Sequence, residues 1–238
     1  MTIRTAMVLA AGLGKRMRPL TATRPKPLVP VAGKPLIDHA LDRLRAAGVA
    51  RAVINVHYLA DALEAHLAIR GHGLEIVLSD ERAMLLETGG GVTKALPLID
   101  DERFLIVNSD NLWIDGPVRA IDLLDAQWDE DAMDALLLLV PIARANCYGG
   151  VGDFRLDPLG RLARPATGKM APFVFTGVQL VSRRLFADAP EGAFSMNLLW
   201  DRAIAAGRAF GAVHEGLWFD VGTPLAVAKS EAMILESA

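Results

Sequence analysis

The chain is predicted to be an α/β protein: a Rossmann-like, mainly parallel mixed sheet with helices on both faces, plus a small lid region in its second half. Three observations predict this. Short apolar runs alternate with helical segments from residue 5 to residue 140, the pattern of successive βαβ units. Hydrophobic residues make up 52% of 238 residues, enough for one large core. A glycine loop follows directly on one apolar run, Ala6–Ala11, and a polar turn on another, Phe104–Val107, and the carboxyl ends of parallel strands are where such sheets take ligands.

The elements follow in order. Residues 5–11 read as a buried strand that feeds Gly12-Leu13-Gly14. Over residues 36–47, Leu36, Ile37, Ala40, Leu41 and Leu44 recur at helical spacing, and Gly48 ends the helix. Arg51–His57 is the next strand, Asp61–Ala68 a helix with Asp61 as its cap, and Glu75–Leu78 a third strand. Leu86-Glu87-Thr88-Gly89-Gly90-Gly91 leads into a helix ending near Pro97, with the glycines expected ahead of its first turn. Phe104–Val107 is a fourth strand running straight into Asn108-Ser109-Asp110-Asn111. Val118–Trp128 is helical and Ala135–Val140 is a buried strand. Beyond it, Gly149–Leu162 predicts a hairpin turning at Asp157-Pro158-Leu159-Gly160. Phe173–Val181 follows as a strand, Ser195–Ala206 as a helix and Phe210–Glu215 as a short strand. Trp218–Pro224 is a strand end and turn into the last helix. With no repeat, low-complexity segment or linker, residues 1–238 read as a single domain.

Composition narrows the function. A net charge of −3 argues against nucleic acid as a partner. No apolar run approaches the roughly 20 residues that span a bilayer. The first apolar run is broken by a glycine loop, unlike a secretory signal. The single cysteine, Cys147, allows no internal disulfide and suits a reducing cytoplasm.

The first glycine loop is the strongest chemical signal. Its small side chains let backbone N–H groups approach an anion, and Lys15, Arg16, Arg18, Arg24 and Lys26 follow closely. That set suits a polyphosphate, whose charge must be neutralised before a nucleophile can approach. The loop is not a dinucleotide fingerprint, because Met17 occupies the third glycine position. It is not a Walker loop, because Gly14-Lys15 is followed by Arg16 and no hydroxyl. A divalent cation would therefore be held elsewhere, and Asp110 and Asp220 each sit at the end of an apolar run. The triple glycine and Thr88 suit the edge of a nucleobase. His39, His57, His66, His72 and His214 lack metal-ligand spacing, Cys147 has no histidine nearby, and Ser182, Ser195 and Ser230 lack a nucleophile elbow. No convincing protein nucleophile is therefore on offer.

Leu9-Ala10-Ala11-Gly12-Leu13-Gly14-Lys15-Arg16-Met17-Arg18-Pro19-Leu20 followed by Pro25-Lys26-Pro27-Leu28 resembles the signature of the sugar-1-phosphate nucleotidylyltransferases. Glu87–Gly91, Asp110, Gly152-Asp153-Phe154-Arg155, Phe175-Thr176-Gly177 and Trp218–Thr223 extend the resemblance over nearly the whole chain. Leu-Glu-Thr-Gly-Gly-Gly and Gly-Asp-Phe-Arg make it most similar to the short bacterial N-acetylmuramate-1-phosphate uridylyltransferases of cell-wall recycling. The resemblance implies a Mg²⁺-dependent reaction of a nucleoside triphosphate with a sugar-1-phosphate, without nucleic acid or membrane, in a monomer or small homo-oligomer. It implies a nucleotide-binding half of about residues 1–115 and a sugar-binding half of about 116–238. By the same resemblance Arg16, Lys26 and Asp110 are catalytic, and Asp110 and Asp220 hold the metal. Leu9, Ala11, Gly12, Gly14, Lys15, Glu87, Thr88 and Gly89 bind nucleotide; Asn111, Gly150, Asp153 and Thr176 bind sugar. Many relatives carry Glu-Lys-Pro in the second half where this chain has Arg164-Pro165-Ala166, and Gly-Asp where it has Ser109-Asp110. Guanylyl transfer to mannose- or heptose-1-phosphate and thymidylyl transfer to glucose-1-phosphate are alternatives, and a non-catalytic nucleotide sensor is a remote one. A nicotinamide dehydrogenase would want an acid where Asn55-Val56-His57 stands.

Overall fold

The structure is a computed structural model that describes residues 3–69 and 73–236. In chain order its elements are β1 (Thr5–Leu9), β2 (Pro30–Val31), β3 (Lys34–Pro35), α1 (Leu36–Ala46), β4 (Arg51–Val56), α2 (Ala60–Ile69) and β5 (Glu75–Asp80). Then come α3 (Glu87–Ala95), β6 (Arg103–Asn108), β7 (Leu112–Ile114), α4 (Ala120–Gln127), β8 (Ala135–Pro141), β9 (Ala145–Asn146), β10 (Arg155–Leu156) and β11 (Leu162–Ala163). The chain closes with β12 (Phe173–Ser182), α5 (Asn197–Ala205), β13 (Ala209–Val213), β14 (Leu217–Phe219) and α6 (Pro224–Glu236).

Among the described residues the main sheet has seven strands in the order β13-β8-β12-β6-β1-β4-β5. β12 runs antiparallel to both its neighbours, and the other pairings are parallel, so the sheet is mixed and mainly parallel. Alternation along a strand sends successive side chains to opposite faces. In β1, Ala6 and Val8 join the core beneath α1, α2 and α4, while Met7 joins the one on the α3 and α5 face. Both faces being covered, β6 and β8 read as continuous apolar runs.

A smaller sheet, β7-β14-β9, flanks the carboxyl end of the main one. Met17, Val29, Val31, Leu36, Leu112, Phe219, Val221 and Val227 form a third core that ties the opening loop to this sheet and to α6. The hairpin expected over residues 149–162 forms as β10 and β11, with Asp157 Oδ1 accepting the N–H groups of Leu159 and Arg161 at 2.8 Å.

One expected element is placed differently. The triple glycine does not precede a helix; it lies inside α3. The reason is close packing on three sides. A β-carbon at Gly89 would strike the Phe194 ring, and one at Gly90 would strike the Gly192 carbonyl. One at Gly91 would lie 2.8 Å from Glu81 Oε1 and 2.9 Å from Asn55 Nδ2. β1 also stops at Leu9, leaving Ala10 and Ala11 to the loop.

Candidate active site

Register brings the functional turns together. Leu9, the last residue of β1, pairs with Asn108, the last residue of β6. The glycine loop and the Asn108–Asn111 turn therefore leave the sheet side by side at its carboxyl end. The Ser109 N–H donates to the Leu9 carbonyl at 3.0 Å and locks the two exits. Lys26 reaches the same place from a short 3₁₀ turn, Lys26–Leu28, and forms an ion pair with Asp110.

Two cavities open on this point. The first, about 390 Å³, is bounded by Leu9–Gly12, Lys26, Pro27, Asn55, Leu85, Glu87, Thr88, Asn108–Asp110 and Ser195. The second, about 200 Å³, is bounded by Arg16, Lys26, Asn108, Asp110, Asn111, Tyr148, Asp153, Phe175, Thr176, Trp218 and Asp220, among others. Lys26, Asn108 and Asp110 face both. The two volumes thus meet at one cation and one carboxylate.

In the second cavity Asp220 follows β14, with its N–H donating to the Asn146 carbonyl at 2.9 Å. Its Oδ1 accepts the Gly222 N–H at 3.1 Å. Asn111 is buried, and its Nδ2 has no hydrogen-bonding partner among the described residues. Gly177, at φ 85°, leaves room for Asn111 and Asn108, because a β-carbon there would strike both amides. Burial pushes the Asp153 carboxyl up, against the Phe175 N–H that its Oδ2 accepts at 2.9 Å and the Arg164 charge. Burial also pushes the Tyr148 hydroxyl up, helped by the negative charge of Asp153.

Among the described residues no three His, Cys, Asp or Glu side chains form a ready metal cage. Asp110 and Asp220 nevertheless border one cavity, and two hard carboxylates are the protein share of a Mg²⁺ site completed by substrate phosphates. The donor set fits that ion.

Residues 5–237 match the nucleotidyl transferase family. The chain belongs to that family. The transferase is 47% identical to the N-acetylmuramate alpha-1-phosphate uridylyltransferase of Caulobacter vibrioides, over 98% of this chain and 97% of that protein. It is 37% identical to the enzyme of the same description from Neisseria meningitidis, over 96% and 97% of the two. HddC from Yersinia pseudotuberculosis, complexed with GMP-PN, superposes with a TM-score of 0.78 at 20% identity, over 98% of this chain and 100% of that one. A UDP-glucose pyrophosphorylase complexed with UDP-glucose gives 0.78 at 17% identity, over 99% and 100%. Those two likenesses speak for the fold.

Of the residues singled out in the sequence, the transferase gathers Leu9, Ala11, Gly12, Lys26, Glu87, Thr88 and Asp110 at the first cavity. Arg16, Lys26, Asp110, Asn111, Asp153, Thr176 and Asp220 stand at the second. Gly14, Lys15, Gly89 and Gly150 border neither. Gly14 instead turns the loop at φ 60°, with its carbonyl accepting from Thr21 at 2.8 Å. The Gly89 N–H donates to the Phe194 carbonyl at 2.8 Å. Thr176 faces the cavity, but its hydroxyl donates to the Leu138 carbonyl at 2.9 Å. Arg164, in place of the relatives' Glu-Lys-Pro, pairs with Asp201 and lies 4.5 Å over the Phe154 ring. His72 lies outside the described residues.

Asn55, Ser195 and Tyr148 are wall residues to which sequence reasoning assigns no binding role. Asn55 carried a signal, a polar residue within the apolar Val53–Val56 run. Ser195 carried none, since only the fold brings residue 195 beside residue 88: the Met196 N–H donates to Thr88 Oγ1 at 2.9 Å.

Proposed function

We propose that the transferase moves a uridylyl group from UTP to N-acetylmuramate α-1-phosphate and releases pyrophosphate. The observation that carries this is the sharing of Lys26 and Asp110 by two adjoining cavities. The larger would take the nucleotide, the smaller the sugar phosphate, and the phosphorus under attack would lie at their common wall. The identity with the two uridylyltransferases supports the choice of base and sugar.

In this reaction an oxygen of the sugar phosphate bonds to the α-phosphorus, the bond to the bridging α–β oxygen breaks, and pyrophosphate leaves with that electron pair. Asp110 and Asp220 would hold Mg²⁺, which when bound offsets phosphate charge. Lys26, already drawn to the common wall by Asp110, would neutralise the α-phosphate or the attacking phosphate. Arg16, on the wall of the smaller cavity, would counter the charge that develops at the phosphorus under attack. Glu87 and Thr88 would border the base. The free Nδ2 of Asn111 would donate to the sugar phosphate. No protein nucleophile is required.

The test is a panel of UTP, GTP, dTTP and CTP against several sugar-1-phosphates with Mg²⁺, read as pyrophosphate. UTP with N-acetylmuramate α-1-phosphate is expected to lead, and no turnover with any pair overturns the reading. Asp110→Asn should lower kcat by roughly a hundred-fold or more while nucleotide binding persists. An unchanged kcat would remove Asp110 from the mechanism.

A further inference from the structure

We infer that Glu81, which borders neither cavity, is a positioning residue for nucleotide binding, acting through Asn55 to hold two walls of the larger cavity in register. The inference rests on reading that cavity as the nucleotide site. Glu81 is completely buried, directly after β5. Its Oε1 accepts from Asn55 Nδ2 at 2.7 Å, and its Oε2 accepts the Leu86 N–H at 3.1 Å. Asn55 in turn accepts the Ala10 N–H on Oδ1 at 2.6 Å.

The donors and acceptors along this relay admit one arrangement. Ala10 and Leu86 are both backbone donors at the two ends. Between them, an amide that accepts on one side must donate on the other, so residue 81 has to accept twice. A carboxylate does so with one oxygen for each donor, whereas a neutral amide has one oxygen and turns its NH2 toward the other donor. With the charge at 81, the Asn55 amide is fixed with its oxygen toward the loop. The Leu9–Ala10 peptide is then gripped from both sides, its N–H by Asn55 and its carbonyl by Ser109. At the other end, Leu86 anchors the start of α3, where Glu87 faces the cavity at φ 58°. Gly91 supplies the space, since a β-carbon there would press on both relay side chains. One buried charge thus couples the Ala10–Gly12 wall to the Glu87–Thr88 wall.

The relay can be transposed. In Glu81→Gln one junction sets donor against donor. In Asn55→Asp two buried carboxylates face each other. In Asn55→Asp with Glu81→Gln, the aspartate accepts from Ala10 and from the glutamine amide, and the glutamine oxygen accepts from Leu86, so every bond is restored with the charge moved one place.

The experiment titrates UTP with Mg²⁺ into the full chain by calorimetry and measures KM for UTP and for the sugar phosphate separately. Thermal unfolding checks that each variant is folded. Glu81→Gln should weaken UTP binding by roughly ten-fold, the equivalent of one buried donor left without an acceptor, with KM for the sugar phosphate unchanged. The double variant should return UTP affinity to near the wild-type value. Wild-type affinity in Glu81→Gln overturns the inference. So does a double variant no better than Glu81→Gln, or one whose base preference shifts, because Asn55 would then be reading the base itself. If a single variant does not fold, the double variant decides: wild-type-like affinity supports the relay and a ten-fold loss removes it. Failure of the wild-type chain to bind UTP would instead break the functional reading.

Discussion

At Gly90 the usual rule for helices reverses its sign. Replacing a helical glycine by alanine ordinarily stabilises by about 1 kcal/mol. Here the added methyl would meet the Gly192 carbonyl, a backbone atom that cannot swing aside. Gly90→Ala should therefore destabilise by about 1–3 kcal/mol, read as a lower urea midpoint. Gly12 is the contrast, with nothing within 4 Å of its missing β-carbon and a place on the wall of the larger cavity. Gly12→Ala should change the midpoint little and raise KM for the nucleotide. An unaltered KM would show that the ligand does not approach the loop there. The single residues differ in how openly they declare themselves. Asp110 stands out in the sequence because a charge after Phe104–Val107 at a strand end needs a partner, and Lys26 stands out among prolines. Glu81 hides in Ser79-Asp80-Glu81-Arg82, which reads as a solvated run. Asp80 and Arg82 do lie at the surface, while tertiary packing closes over Glu81, the one charged residue of the run to be buried.

Between elements, Asp134 shows how charge fastens the far end of the sheet. It stands just ahead of β8 and accepts from Arg184, just past β12, at 3.1 Å and from Arg208, just ahead of β13, at 2.9 Å. Three neighbouring strands are clasped by one carboxylate. Burial alone would raise its pKa, but the hydrogen bonds from Arg208 and Arg184 outweigh that and hold it below the ordinary 3.8. The clasp is thus complete above that value and is lost as the pH falls below it. Asp134→Asn should cost about 1 kcal/mol at neutral pH, given the partly exposed arginines, and the cost should vanish in acid. A difference that stays constant from neutral pH into acid would contradict this. The long elements were legible because a period of two or of 3.6 repeats enough times to be seen. β2, β3, β7 and β9 span two or three residues each, too few for any period, and pairing alone defines them. The placing of the triple glycine escapes the sequence for a similar reason: glycine runs ordinarily break helices, and only the packing of Phe194, Gly192 and Glu81 against this one shows why it lies within α3.

For the whole molecule, both cavities open at one end of one sheet, so ligand binding and global stability are linked. Mg²⁺ and UTP at about a hundred times the dissociation constant should add about 2.7 kcal/mol to unfolding. For a chain of this length that raises Tm by roughly 5–10 °C, and no shift would mean that the nucleotide is not bound by the folded state. The expected split at about residue 115 meets a complication in the contacts of α3. The Phe194 N–H donates to the Leu86 carbonyl at 3.2 Å, and Gly89 and Gly90 both donate to the Phe194 carbonyl. Ser195, from the second half, borders the larger cavity. Recombining this chain with a relative at residue 115 would therefore part α3 from the Phe194–Ser195 segment to which it is bonded. The Gly192–Met196 stretch belongs with α3, and a donor segment that replaces it must fit closely against Gly89 and Gly90 or lose the seam.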